Sequence, residues 1–400
     1  MLQSSKILEI VKTLEPKLIA DRRHLHINAE VSGKEYETAA YIVSEMQTLG
    51  LKPVWVRERV SPYFLFDTGK KGKTLVFRAD IDALEVQEDA CNLKQKKVAV
   101  SKNDGVCHAC AHDGHTAILL AVARAIVENA DDFCGRFIFF FESAEEDGKG
   151  TSEEFSEILK EIKPDGIWGI HLCSFMDCGK ISVQAGPRMA ASGKYKIEIT
   201  GRGGHGSTPH KSINPLNAAA ELVCKMQSII PTKLPVGEIA TLAVTEIKGG
   251  ETWNIIPDTC IVSGNYRCCS QQVYNMMSSQ IRLICDSVCQ ANDCTPNYII
   301  FPNNEEAGLV INDPNVSAIA GAALDKILPG SRHDEPVWMA SEPFGKYQKI
   351  VPGVFAFVGV RNDEFGSGAA HHNSKFDIDE KSLSLSVAAT LQFASDFVSE

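Results

Sequence analysis

Four hundred residues, 44% of them hydrophobic, are more than one hydrophobic core usually holds together, so two domains are expected. A formal net charge of −11 opposes nucleic acid and anionic membranes as partners, and the nearest basic run, LKQKK at 93–97, is short enough to be a solvated loop. The thirteen cysteines are scattered and odd in number, and the chain shows no secretion signal, which points to reduced thiols, mostly core fillers, in a soluble cytoplasmic protein.

The opening stretch MLQSSKILEIVKTLEPKLIADRRHLH reads as an amphipathic helix, and no later segment reaches a membrane-spanning length free of charge. TLVFRA (74–79), RFIFFF (136–141), GIWGI (166–170) and PGVFAFVG (352–359) are short and almost continuously apolar, as strands covered on both faces are. TAILLAVARAIVENA lies between the first two and predicts a helix. From about Gly193 to Pro302 the texture changes: KYKIEITGRGG, EIATLAVTEIKGG and TCIVSGNYR alternate apolar and polar residues, while NPLNAAAELVCKMQSII and QQVYNMMSSQIRLICDSVCQA predict two covering helices. The expected fold is therefore α/β, with a mainly parallel-sheet catalytic domain (1–190 and 303–400) and an inserted α+β domain (191–302).

The residues just beyond each buried strand carry the chemistry. TLVFRA runs into Asp80 and Asp82, RFIFFF into Glu142, Glu145 and Glu146, GIWGI into His171, and PGVFAFVG, after a loop, into His371 and His372. Ligands of an open parallel sheet bind beyond the carboxyl ends of its strands, so these groups should converge. The stretch CHACAHDGH (107–115) adds Cys110 and His112; two apart in an extended segment, they would face a common ion. So many anionic and imidazole groups in one crevice call for one or two divalent cations among them. Of the neighbours Glu145 and Glu146, one can coordinate while the other takes a proton from water, with Gly148 and Gly150 giving the turn room.

HACAHDGHTA, ESAEEDGKG, GIHL, TGRGGHGSTPHKSINPLNAAA, NIIPD and HHNSKFDID, in this order, resemble the dinuclear-metal amidohydrolases that include hippurate hydrolases, N-acyl-amino-acid amidohydrolases (aminoacylases) and plant auxin-conjugate hydrolases. The resemblance implies that Cys110 bridges two ions, that His112, His171, Glu146 and His372 (with His371 as the alternative) complete the ligand set, and that Glu145 is the general base. It implies that Asp80, Asp82 and Asp113 orient histidines. The inserted domain becomes a lid and the surface of a homodimer, His205 reaches the substrate's carbonyl oxygen, and Asn254 and Arg267 hold the carboxylate of an amino-acid product. Ala111, Cys107, Ser143, Glu85 and Pro343 depart from the usual pattern without removing a ligand, which bears on the substrate pocket and not on the reaction.

The expected reaction is hydrolysis of an N-acyl amino acid or small dipeptide-like amide, by attack of a hydroxide shared by the ions, with Glu145 as the base. Zinc, manganese, cobalt and nickel all suit the mixed donors. Rival readings are a dipeptidase or aminopeptidase with the same metals, a relative that binds metal or ligand without turnover, and a thiol enzyme using Cys110.

Overall fold

A computed structural model of the protein describes residues 2–148, 150–302 and 308–399. It divides into two compact units: Met1–Gly186 with Ile311–Pro336 and Pro343–Glu400, and Pro187–Val310 with Val337–Glu342. The boundary expected at 303 lies outside the described residues. Residues 187–190 and 337–342 fall in the second unit because Met189 bridges Trp338, and the Ala190 N–H is shared between the Trp338 and Ala340 carbonyls.

The first unit is built on a seven-stranded sheet, in the order Val54–Arg57, Ser61–Asp67, Arg136–Glu142, Thr74–Asp80, Gly166–Asp177, Gly353–Arg361 and Ile181–Ser182. The four strands from Arg136–Glu142 to Gly353–Arg361 are mutually parallel, and the other three add antiparallel at the edges. Continuous apolar sequence in RFIFFF reflects burial on both faces. Phe137, Phe139 and Phe141 enter a core shared with the helices Ser4–Ile27, His112–Glu128, Pro314–Ile327 and Lys381–Ser399, while Phe140 points the other way and stacks on Phe155 at 4.0 Å.

Register aligns the strand ends that matter. Asp80 pairs with Glu142, so the segments 81–82 and 143–146 leave the sheet side by side. GIWGI does not stop before His171; pairing with Gly353–Arg361 carries that strand on to Asp177, and His171, opposite Phe357, points out of the middle of it.

The second unit has its own four-stranded antiparallel sheet, ordered Ala240–Lys248, Thr259–Cys268, Ala191–Thr200 and Thr295–Ile300. Tyr195, Ile197, Ile199, Val262 and Tyr266 face the helices Pro215–Met226 and Gln271–Ala291 in a separate core. Asn214 and Ser270 start those helices by accepting the Leu216 and Val273 N–H groups. Thr295–Ile300 is not signalled by the sequence because Pro296 speaks against a strand; it lies at the sheet edge, where proline is tolerated. Among the described residues there is no disulfide and no helix long and apolar enough to cross a membrane.

Candidate metal centre

Cys110 and His112 do not share an extended segment. Ala111 takes a left-handed conformation (φ 66°), and His112 opens the His112–Glu128 helix, so a tight turn rather than strand alternation brings the thiol and the imidazole to one side. The short apolar Ala111 side chain is fully buried.

Around them the first unit gathers four groups whose donor atoms all lie within 4.8 Å of one another: Cys110 with His112 and His171; Cys110 with Glu146 and His372; His112 with Glu145 and Glu146; and Asp80 with His112 and His115. The first two share the Cys110 sulfur. His171 Nε2 is 3.6 Å from Cys110 Sγ, and Glu146 Oε1 is 3.3 Å from His372 Nε2 and 3.7 Å from His112 Nε2.

Hydrogen bonds sort the imidazoles by which nitrogen keeps a lone pair. His112 donates Nδ1–H to Asp82 (3.1 Å), and His171 donates Nδ1–H to the Leu172 carbonyl (3.1 Å); both turn Nε2 inward, unprotonated in His171 and, in His112, free for a cation once its second proton is displaced. His115 has both nitrogens engaged: Nδ1 donates to Asp80 (2.6 Å) and Nε2 accepts the Leu172 N–H (2.9 Å). His371 Nε2 accepts the Ser174 N–H (3.2 Å), which leaves the proton on Nδ1, 3.6 Å from Cys110 Sγ. His372, in a left-handed turn (φ 64°), presents Nε2 to Glu146.

The carboxylates expected to orient histidines have different partners. Asp82 holds His112, the Glu146 N–H (3.0 Å) and the Ser32 hydroxyl (2.6 Å); Asp80 holds His115 and Arg78 (2.8 Å). Asp113 serves a separate buried network, bonded to His26 (2.7 Å) and Arg22 (2.8 Å), with Glu88 and Lys97 beyond. None of Arg22, His26, Ser32, Arg78 or Glu88 stands out in the sequence; the only signal is RRHLHINAE, rich in polar residues at the end of an otherwise amphipathic helix.

Electrostatics inside the cluster are out of balance. Burial, with the Glu146 charge beside it, pushes the Cys110 thiol well above its ordinary range. Burial and the neighbouring His115 and His371 hold His171 well below its usual value. Burial opposes ionisation of Asp80 and His112 as well, yet their mutual attraction outweighs it, lowering the acid and raising the imidazole. Among the described residues, Glu146 Oε1 is buried and has no hydrogen bond. A buried thiol, two imidazoles that turn Nε2 inward and a buried carboxylate oxygen are a donor set that cations would complete, displacing the protons that the thiol and His112 otherwise hold.

In the second unit, Ile255 pairs with His205, and the Gly206 N–H donates to the Asn254 carbonyl (2.9 Å), so His205 and Asn254 are neighbours. His205 is exposed and its Nδ1 accepts from Ser207 N (3.1 Å) and Oγ (2.7 Å), which leaves Nε2–H as a donor. Arg267 sits on the Thr259–Cys268 strand, half-buried, with Nη1 buried and, among the described residues, without a hydrogen bond; burial lowers its pKa.

A parallel sheet whose loops, one helix start and one strand gather thiol, imidazole and carboxylate donors defines a metal-dependent hydrolase on an α/β scaffold. The sequence pattern of peptidase family M20/M25/M40 matches residues 76–396, and the chain belongs to that family. It is 31% identical to the N-acetyl-L-cysteine deacetylase of Bacillus subtilis (strain 168) over 376 residues, 93% of this chain and 86% of that one. It is 32% identical to thermostable carboxypeptidase 2 of Saccharolobus solfataricus over 401 residues, 98% of each chain. Among solved structures it is similar to a dinuclear metal-binding peptidase of the M20 family from Bacillus subtilis, with a TM-score of 0.83 and 25% identity, covering 97% of this chain and 99% of that one. The protein is a metal-dependent hydrolase of amide bonds.

Proposed function

We propose that the protein cleaves N-acyl amino acids or small dipeptide-like amides, using two divalent ions that share Cys110. The observation that carries this reading is the pair of donor groups with one common sulfur, next to a second glutamate. Cys110, His112 and His171 would hold one ion, and Cys110, Glu146 and His372 the other. His372 is preferred over His371 because the Ser174 N–H already occupies the unprotonated nitrogen of His371. When bound, such ions supply Lewis acidity, making water more acidic and polarising the amide carbonyl; zinc, manganese, cobalt and nickel are the candidates.

The chain's own groups do the rest. Glu145, beside Glu146 on the 143–146 turn, takes a proton from water and returns it to the leaving amine. His205 donates Nε2–H to the carbonyl oxygen as it gains charge. Arg267 and Asn254 hold the free carboxylate on the amine side, the guanidinium supplying an Nη1 that has no hydrogen bond among the described residues. The inserted unit acts as lid and homodimer surface, a reading supported by the position of Ala240–Lys248 at a sheet edge and by exposed Val236, Ile239 and Ile247. A cytoplasmic location agrees with thirteen cysteines and no disulfide among the described residues.

The deacetylase relative favours N-acyl amino acids and the carboxypeptidase relative favours peptides. A panel of N-acetyl, N-benzoyl and dipeptide substrates at fixed metal separates the two, with the highest kcat/KM expected on an N-acyl amino acid. A thiol enzyme fits poorly, since Cys110 is buried and its pKa is raised rather than depressed. Glu145→Gln tests the mechanism: kcat should fall by about 10²- to 10⁴-fold with metal content unchanged. Full activity in that variant would refute the base assignment.

A further inference from the structure

The turn that presents Glu145 and Glu146 is held from outside by two carboxylates. Asp82 accepts the Glu146 N–H (3.0 Å). On the other side of Glu145, Ala144 sits in the left-handed region (φ 56°), a conformation that an alanine leaves readily unless something fixes it. What fixes it is Glu35, from the segment between the helices Ser4–Ile27 and Tyr36–Thr48. One oxygen of its fully buried carboxylate accepts both the Ala144 N–H (2.7 Å) and the Gly33 N–H (2.9 Å). Gly150 closes the turn from behind, where an added side-chain carbon would lie 2.8 Å from the Ala144 carbonyl oxygen. Burying a carboxylate whose second oxygen has no hydrogen bond among the described residues is costly, and Glu35 also faces Asp82; burial and that neighbouring charge push its carboxyl up to about 7. Packing alone would be served better by an apolar side chain, so the polar group is retained for the backbone it holds.

We propose that Glu35 is a positioning residue for the general base: it pins Ala144 in the left-handed conformation that aims Glu145 while Asp82 fixes Glu146. Glu35 touches neither substrate nor ion in this role, and the inference rests on the assignment of Glu145 as base.

The test compares Glu35→Met, which keeps the volume and removes the acceptor, with Glu35→Gln, whose amide oxygen can take both N–H groups. Each is loaded with zinc, and kcat, KM on N-acetyl-L-methionine, metal content and thermal midpoint are measured. Glu35→Met should lose roughly 10- to 100-fold in kcat, with KM and metal content within twofold of the native enzyme, because a base displaced by a fraction of its reach loses rate and not binding. Glu35→Gln should stay within about threefold, and adding Ala144→Gly to Glu35→Met should recover part of kcat, since glycine adopts the left-handed turn without help. A kcat within twofold of native in Glu35→Met overturns the proposal, as does a loss shared equally by the glutamine variant. Should Glu35→Met not fold, Ala144→Val puts the same question from the other end of the bond: a β-branched residue in this conformation should lower kcat with KM held, and an unchanged kcat overturns the proposal. Full activity in Glu145→Gln would instead remove the reading on which the proposal stands, so the two failures are told apart.

Discussion

Replacing Asp82 by Asn removes a charge and, more importantly, reverses one end of a hydrogen-bond pattern. The carboxylate receives three donors: His112 Nδ1–H at 3.1 Å, the Glu146 N–H at 3.0 Å and the Ser32 hydroxyl at 2.6 Å. An amide offers one oxygen in place of two. If its NH2 faces His112, the imidazole must move its proton to Nε2, the nitrogen turned toward Glu146, and loses the lone pair a cation would use. If its NH2 faces Glu146, a buried backbone N–H is left unpaired and the Glu146 turn is released. Partners of this kind are worth about 10- to 100-fold in metal affinity, or roughly 1.4–2.8 kcal/mol. Dialysis against chelators of graded strength, with metal content read by mass spectrometry, measures it directly. Asp113→Asn is the control: that carboxylate bonds His26 and Arg22, so its loss should lower the thermal midpoint first and metal affinity far less. An Asp82→Asn protein whose metal affinity stays within about twofold of native would refute the tautomer argument.

The neighbouring histidines give a second contrast: His372→Ala should purify with one ion fewer per subunit and His371→Ala with the native number, and the reverse outcome would exchange their roles. Arg267→Ala should raise KM about 10- to 100-fold for substrates with a free carboxylate and leave matched amides lacking it nearly unchanged, as checked by steady-state kinetics on both. Acid stability should depend on Glu88, where burial opposes ionisation but the contacts with His26 and Lys97 outweigh it and hold the carboxyl down to about 2, against 4.5 ordinarily. A depressed acid contributes stability that is fully present above 4.5 and lost as pH falls toward 2, so calorimetry across that window should show a shallower decline in Glu88→Gln than in the native protein.

Much of the molecule is legible in the chain because two different rules of burial leave different marks. Unbroken apolar runs such as RFIFFF announce central parallel strands, and alternation in KYKIEIT announces a sheet with one open face. Residues placed just after such runs are then near one another for geometric reasons, which is how Glu145, Glu146, His171 and the carboxyl-terminal histidines could be grouped from sequence, with Cys110 and His112 added from the CHACAHDGH motif. Backbone conformation is what the sequence hides. Nothing in CHACAHDGH signals that Ala111 is left-handed, and in HHNSK only the family resemblance favours His372 over His371; the physical difference between them is the Ser174 N–H, nearly two hundred residues away. Glu35 is equally silent, since its partner Ala144 is remote and carries no polar side chain.

The discontinuity of the first unit bears on how the protein is made. Gly353–Arg361 pairs along Gly166–Asp177 as the last of the parallel strands, and His372 comes after it, so a nascent chain on the ribosome has emitted most of its length before the sheet can be completed. The second unit, nearly all of it one uninterrupted stretch, is available to fold sooner, while the half-built sheet waits with a long apolar edge exposed. Truncation near the carboxyl end would therefore be felt first as aggregation during synthesis, and only afterwards as an enzyme missing a ligand.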